Sequence, residues 1–275
     1  MNLFTAAETA NNYVTAGVAK TKYSIPKMLV LGILAGLLIG FPSCVTEMAT
    51  FSVTNTSMVR MISGLLFAFG LGTVILTGAE LFTGNTLITM SLLDKKVTLP
   101  AMLKNWLFVY IGNFLGSMLL SAICAYFGWL SAGSNALAVS AMKMAVGKMT
   151  MPFQNAFFMG VLCNILVTIG VLMSLAGKDG TSRFIGAWVP VMFFVTCGFN
   201  HSIADMTYCM LGLFARNVTA YASAAAEAGI ALDSLTWGNY FVGNLIPVTL
   251  GNILGGVAVG VTMWYAYVRK AAGKK

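Results

Sequence analysis

The chain carries one histidine, His201, in the apolar stretch FVTCGFNHSIADMTYCM at 194–210, and Asp205 follows it by four residues. An imidazole has an ordinary pKa of about 6.5, which lets it take or give a proton near neutrality. An ionisable group among apolar residues costs several kcal/mol to bury, so inside a membrane it is read as functional by default. A second apolar stretch, LTGAELFTGN at 76–85, is interrupted in the same manner and carries Glu80 and Thr83. Together these residues suit proton exchange and hydrogen bonding to a small solute. They do not suit metal or phosphate chemistry. A single histidine excludes paired-histidine metal motifs, no Cys-x-x-Cys is present, and no phosphate loop occurs, so neither an enzyme nor a bound metal or cofactor is expected.

The elements that must hold these groups follow from composition. Of 275 residues, 58% are hydrophobic and only 9% charged, far more apolar surface than one water-soluble core could hide. Spans of about 20 apolar residues are required to cross a bilayer. They are expected at roughly 28–45, 60–93, 104–130, 153–177, 184–215 and 240–268, the second and fifth being single spans broken near their middles. With the N-terminus inside, twelve lysines and arginines fall on the cytoplasmic side, against Arg60, Lys143, Lys148 and Arg216 outside. That asymmetry places both termini in the cytoplasm, and solvated basic flanks account for the net charge of +8 without a nucleic-acid partner. Residues 1–26 lack the features of a signal peptide; Leu3, Ala7, Ala10 and Val14 recur at helical spacing, as in a helix lying along the cytoplasmic surface. The expected organisation is that surface helix, a six-span unit over 27–268 and a basic tail over 269–275. The five cysteines stand singly and read as small core residues.

Internal similarity sets the architecture. LGILAGLLIG at 31–40 parallels MGVLCNILVTIG at 159–170, GAELFTGN at 78–85 parallels GFNHSIAD at 198–205, and GNFLGS at 112–117 parallels GNILGG at 251–256. Three matches in the same order define two repeats of three spans, about 27–130 and 152–268. An odd number of crossings turns the second copy upside down. Hydrocarbon cannot satisfy the backbone groups that a break frees, so both breaks must face inward. The half-helices that start there direct positive dipole ends at the pathway, which favours an anion. Glu80 and Asp205, flanking the breaks, are expected to cap freed amides, or else to pair across the fold. Glycines every fourth residue, such as Gly32, Gly36 and Gly40, read as close helix packing.

GAELFTGN, KNWLFVYIGNFLGS, GFNHSIADM and GNLIPVTLGNILGG together resemble the formate/nitrite transporter family of bacterial anion channels, over roughly 27–268. Asn200 stands where formate and nitrite members usually have glutamate, and is more similar to the hydrosulfide-channel branch. The resemblance implies an aquaporin-like fold, a homopentamer with a pore in each protomer, and a place in the bacterial inner membrane. It implies apolar constrictions at Leu71, Leu81 and Phe194, with Phe67 one turn away, and a central polar site of His201, Thr83 and Asn164. It also implies an anion-attracting role for Lys148, which lies in a stretch, MKMAVGKMTM, that otherwise reads as a polar loop. A neutral-solute channel of the aquaporin kind is expected to carry paired Asn-Pro-Ala boxes, and neither break has one. The remaining alternative is a proton-coupled transporter of the same anions on this scaffold.

Overall fold

A computed structural model describes residues 3–269. Its first element, α1 (Ala6–Thr21), begins with a capping box in which Thr5 and Glu8 bond reciprocally. The first span is α2 (Ile25–Thr50); the second is α3 (Thr56–Phe67) and α4 (Phe69–Thr77), then a break, then α5 (Phe82–Asn85), a short 3-10 turn and α6 (Thr89–Leu93). The third span is α7 (Leu99–Tyr126), and α8 (Ala136–Met149) leads to the second repeat. There α9 (Phe153–Ala176) is the fourth span, α10 (Gly180–Cys197) and α11 (Ser202–Ala215) flank the second break, and α12 (Thr219–Glu227) connects onward. The sixth span opens with α13 (Trp237–Asn239), widens to a π-type turn over Tyr240–Leu245, and continues as α14 (Ile246–Met263). The protein is thus all-α and membrane-spanning, with six crossings, broken second and fifth spans, and two inverted three-span repeats.

Each break begins at a glycine in the left-handed region, Gly78 at φ 72° and Gly198 at φ 76°, where a side chain would be strained. Extended backbone follows, and the chain re-enters helix after Leu81 and His201. The return differs between copies. Thr86 and Thr89 hydroxyls donate to the carbonyls three residues back, at 2.6 and 2.8 Å, which suits the 3-10 turn between α5 and α6; α11 has no such pair and runs on unbroken.

Two helix pairs form the frame, α2 with α7 and α9 with α14, each pair running parallel. A Cβ at Gly112 would lie 2.7 Å from the Leu29 carbonyl oxygen and 2.8 Å from the Gly32 Cα, and one at Gly160 would lie 2.7 Å from the Val248 carbonyl oxygen. Backbone meets backbone at both crossings, as the glycine spacing predicts.

Three features depart from expectation. Lys148 is not in a loop but in the last turn of α8. Helix α1 does not merely lie on a surface: Ala10, Tyr13, Val14 and Gly17 are buried, and the Tyr13 hydroxyl donates to the Gly84 carbonyl beside the first break at 2.9 Å, while Leu3 and Ala7 stay exposed. The second span is also interrupted at Ala68, a turn without a sequence signal. Residues 270–275 of the expected basic tail, with three of the lysines counted above, lie outside the described residues.

Gly112→Ala is expected to destabilise the protein by about 1–3 kcal/mol through overpacking against backbone that cannot yield. Gly147→Ala, on α8 with no atom within 4 Å of the added carbon, is the control. Thermal melting in detergent would show a lowered Tm for the first variant only.

Candidate functional site

The site is built where the two breaks meet. At the first, the Asn113 side-chain carbonyl accepts from the Phe82 amide at 2.9 Å, while its NH2 donates to the Gly32 and Glu80 carbonyls, both at 2.9 Å. At the second, Asn252 accepts from the Ser202 amide at 2.9 Å and donates to the Gly160 and Asn200 carbonyls at 2.8 and 3.0 Å. The extended segments also bond back to the first span of each repeat, Glu80 N–H to the Leu31 carbonyl and Asn200 N–H to that of Met159. These are one set of contacts built twice.

Asparagine therefore does the capping expected of the carboxylates. Glu80 and Asp205 accept from lysines instead: Lys20 Nζ lies 2.5 Å from Glu80 and 3.0 Å from Asn85, and Lys148 Nζ lies 2.5 Å from Asp205 and 3.1 Å from Asn200. A buried carboxylate without a counter-ion would cost several kcal/mol, more than one amide cap returns, so the lysine wins. Nor are Glu80 and Asp205 counterparts in the repeat. Glu80 matches Asn200 and Asn85 matches Asp205, so each lysine meets one carboxylate and one amide in exchanged places. Asn105 and Asn244 complete the two clusters, bonding to Asn85 and Asp205 at 2.9 and 3.0 Å.

Leu81 and His201 occupy the same position in the two breaks, each at φ near −109° just ahead of a helix. His201 Nδ1 accepts from the Ala204 amide at 3.2 Å, and its Nε2 lies 2.8 Å from the Thr83 hydroxyl oxygen. Because Nδ1 is the acceptor, the neutral ring carries its proton on Nε2 and donates it to Thr83. The ring stacks on Phe194 at 5.9 Å, and Phe194 meets Phe67 edge-on at 6.2 Å.

Three cavities succeed one another along this axis. A vestibule of about 720 Å³ is bordered by Arg60, Lys143, Lys148, Asp205 and Tyr208, and ends at Phe67, Phe194 and His201. Those three also border a chamber of about 10 Å³, closed on its far side by Leu71 and Leu81. Leu71 and Leu81 in turn border a second vestibule of about 210 Å³ that holds Lys20, Glu80 and Asn85. The chamber has room for about one water-sized solute. Thr83 and Asn164, expected to line the centre, border none of these cavities. Thr83 stands behind the imidazole. Asn164 is a brace, donating to the Asn252 and Thr83 carbonyls at 2.6 and 3.2 Å. The dipole expectation is also modified, since side chains already take the Ser202 and Ala204 amides at the start of α11.

Sequence reasoning passed over the pairs Asn105/Asn113 and Asn244/Asn252, although both recur eight residues apart in the third and sixth spans. Intramembrane amides at matched spacing were the available signal. Lys20 was counted only as a topological charge. Glu47, buried in the first span and accepting from Ser140 at 3.1 Å, was not singled out.

Comparison with known proteins gives a consistent result. The chain is 32% identical to a probable formate transporter of Methanothermobacter thermautotrophicus, covering 96% of this chain and 97% of that one. It is 32% identical to the formate channel FocA of Escherichia coli K12, covering 93% and 91%. Among solved structures, a pentameric formate channel with formate bound matches with a TM-score of 0.77 at 31% identity, over 89% of this chain and 98% of that one. An FNT family ion channel matches with a TM-score of 0.79 at 27% identity, over 94% and 98%. The profile described as formate/nitrite transporter matches residues 7–267. With a match of that extent, the chain belongs to the formate/nitrite transporter family.

Proposed function

We propose that the protein is a channel for small monovalent anions or their acids, with formate, nitrite and hydrosulfide as candidates, assembled as a homopentamer with one pore per protomer. Its membrane is the bacterial inner membrane, with both termini cytoplasmic. The observation that supports this reading best is the chamber between two apolar boundaries, bordered on one side by His201. The names of the relatives favour formate as the first anion to test; Asn200 keeps hydrosulfide in the set. The working unit includes the helices ahead of each first span, because Lys20 on α1 and Lys148 on α8 serve equivalent clusters; the repeats are then 6–126 and 136–268.

An ion entering a dry gap loses hydration worth several kcal/mol after relaxation. The boundaries at Phe67/Phe194 and Leu71/Leu81 impose that cost over a short distance and exclude larger solutes. The vestibule ahead of them carries Arg60, Lys143 and Lys148 against the carboxylate of Asp205, so it gathers anions. Lys148 is ion-paired to Asp205, whereas neither Arg60 nor Lys143 has an ion-pair partner among the described residues. At the chamber, proton transfer through His201 and Thr83 would convert the anion to its neutral acid and remove most of the desolvation cost.

The deciding experiment is uptake of formate, nitrite and hydrosulfide into proteoliposomes under an imposed pH gradient. Uptake of any of them down its own gradient supports the channel; accumulation against it, driven by protons, makes the protein a coupled transporter. No uptake of any of the three removes the proposal.

In the same assay, Leu81→Ala and Phe194→Ala are expected to speed flux and admit larger carboxylates. A barrier lower by about 1 kcal/mol gives about a fivefold rise in rate. Unchanged flux in both folded variants would dissociate these side chains from the barrier.

Arg60→Gln is expected to slow anion entry at low salt and to matter little once ionic strength shortens the Debye length below about 8 Å. Lys148→Gln leaves Asp205 buried without its partner, so it should lower the Tm at every salt concentration. Equal flux loss for Arg60→Gln at low and high salt would argue against electrostatic recruitment.

His201→Asn retains a hydrogen-bonding side chain but abolishes titration. Flux through it should lose the parent's pH dependence between about pH 5 and 8. A full parental pH profile for all three anions would show the imidazole to be a polar filler.

A further inference from the structure

The α2–α7 crossing is lined by two stripes of residues at fourfold spacing: Gly32, Gly36, Gly40 and Cys44 on one helix, Gly112, Gly116, Leu120 and Cys124 on the other. The helices run parallel and the stripes stay in register. At one end a Cβ on Gly32 would lie 2.9 Å from the Val109 carbonyl oxygen and 3.0 Å from the Gly112 Cα. At the other end, two turns from the residues Phe51 and Ser52 that border the larger vestibule, the stripes finish with Cys44 and Cys124, whose sulfurs lie 3.9 Å apart.

Packing alone does not demand sulfur there. The repeat supplies an internal comparison, because the α9–α14 crossing has Leu172 and Met263 at the equivalent positions. The remaining cysteines are placed differently: Cys163 and Cys209 are buried and Cys197 is exposed, and none has a sulfur partner among the described contacts.

We propose that Cys44 and Cys124 are a dithiol modification site, closed to an intramolecular disulfide by a small peroxide. Bringing the sulfurs from 3.9 Å to the bonded separation of about 2.05 Å asks each to move about 1 Å, on the scale of a side-chain adjustment. The chemistry balances. One thiol, losing its proton, attacks a peroxide oxygen; the O–O bond breaks, a sulfenic acid forms, and the departing hydroxide takes that proton as water. The second thiol attacks the sulfenic sulfur, the S–S bond forms, the S–O bond breaks, and a second water leaves with the second thiol's proton. Two electrons pass from the sulfur pair to the peroxide. The two side chains are only 7% and 8% exposed, which is why the oxidant suited to them is one as small and uncharged as hydrogen peroxide.

The crosslink would tie α2 to α7 at the end where Thr46 bonds Tyr208, a residue of the vestibule wall, at 2.8 Å.

The test uses the assembled protein in proteoliposomes treated with hydrogen peroxide, followed by denaturation, alkylation of remaining thiols, proteolysis and mass spectrometry. The expected result is a fall from five titratable thiols to three, with the Cys44 and Cys124 peptides joined and released by dithiothreitol. Cys44→Ser should abolish the joined peptide, leaving Cys124 as a thiol or a sulfenic acid. Five free thiols after treatment, oxidation confined to Cys197, or a joined peptide that pairs Cys124 with another cysteine would each overturn the proposal.

Discussion

The structure depends on satisfying two stretches of bare backbone inside hydrocarbon. A buried peptide group left without a partner costs about 1–3 kcal/mol. Without its asparagine each break would leave two such groups, an amide and a carbonyl: those of Phe82 and Glu80 in the first, those of Ser202 and Asn200 in the second. Asn113 and Asn252 each bond one amide and two carbonyls across the close helix crossings. The glycine contacts are required because a short side chain must reach a neighbouring span's backbone. The rest of the site inherits its placement from these two residues: they fix the extended segments, and the segments aim Leu81 and His201 at the same chamber.

Duplication with substitution then explains how a nearly symmetric frame makes an asymmetric path. Backbone contacts at the breaks repeat, but the side chains facing the axis do not. Leucine opposes histidine at the chamber, Leu71 matches Val191, and Val74 matches Phe194. The lysine clusters keep their geometry while exchanging carboxylate and amide, so each half-buried lysine still meets one full negative charge and one carbonyl. Such an exchange is allowed because the lysine reads summed electrostatics and hydrogen-bond acceptors, and either order supplies both.

Much of this was legible in the sequence. Span number, the two breaks and the repeat follow from apolar runs, glycines and recurrent motifs, since these report solvent and close approach directly. The polar wiring was less legible. A carboxylate beside a break reads as a cap until a lysine 60 residues away in sequence proves to lie against it. Asn164 and Thr83 carry the types suited to a lining, yet depth behind His201 is a property of three helices together. The kink at Ala68 and the wide turn over Tyr240–Leu245 depend on how neighbours pack, and propensity alone carries no trace of the first.

The position of His201 as the cap of its own helix constrains any proton chemistry it performs. Nδ1 accepts from the Ala204 amide, so a proton arriving at Nδ1 would set two donors face to face and release the start of α11. Exchange that leaves the break intact must therefore pass through Nε2, whose partner is the Thr83 hydroxyl on the opposite repeat. A hydroxyl can accept from the ring and donate onward at once, so in such an exchange Thr83 would be the first link beyond Nε2, although it does not border the chamber. The two breaks are joined by that one hydrogen bond, and the helix-capping and proton-bearing nitrogens of a single ring are kept on separate sides of it.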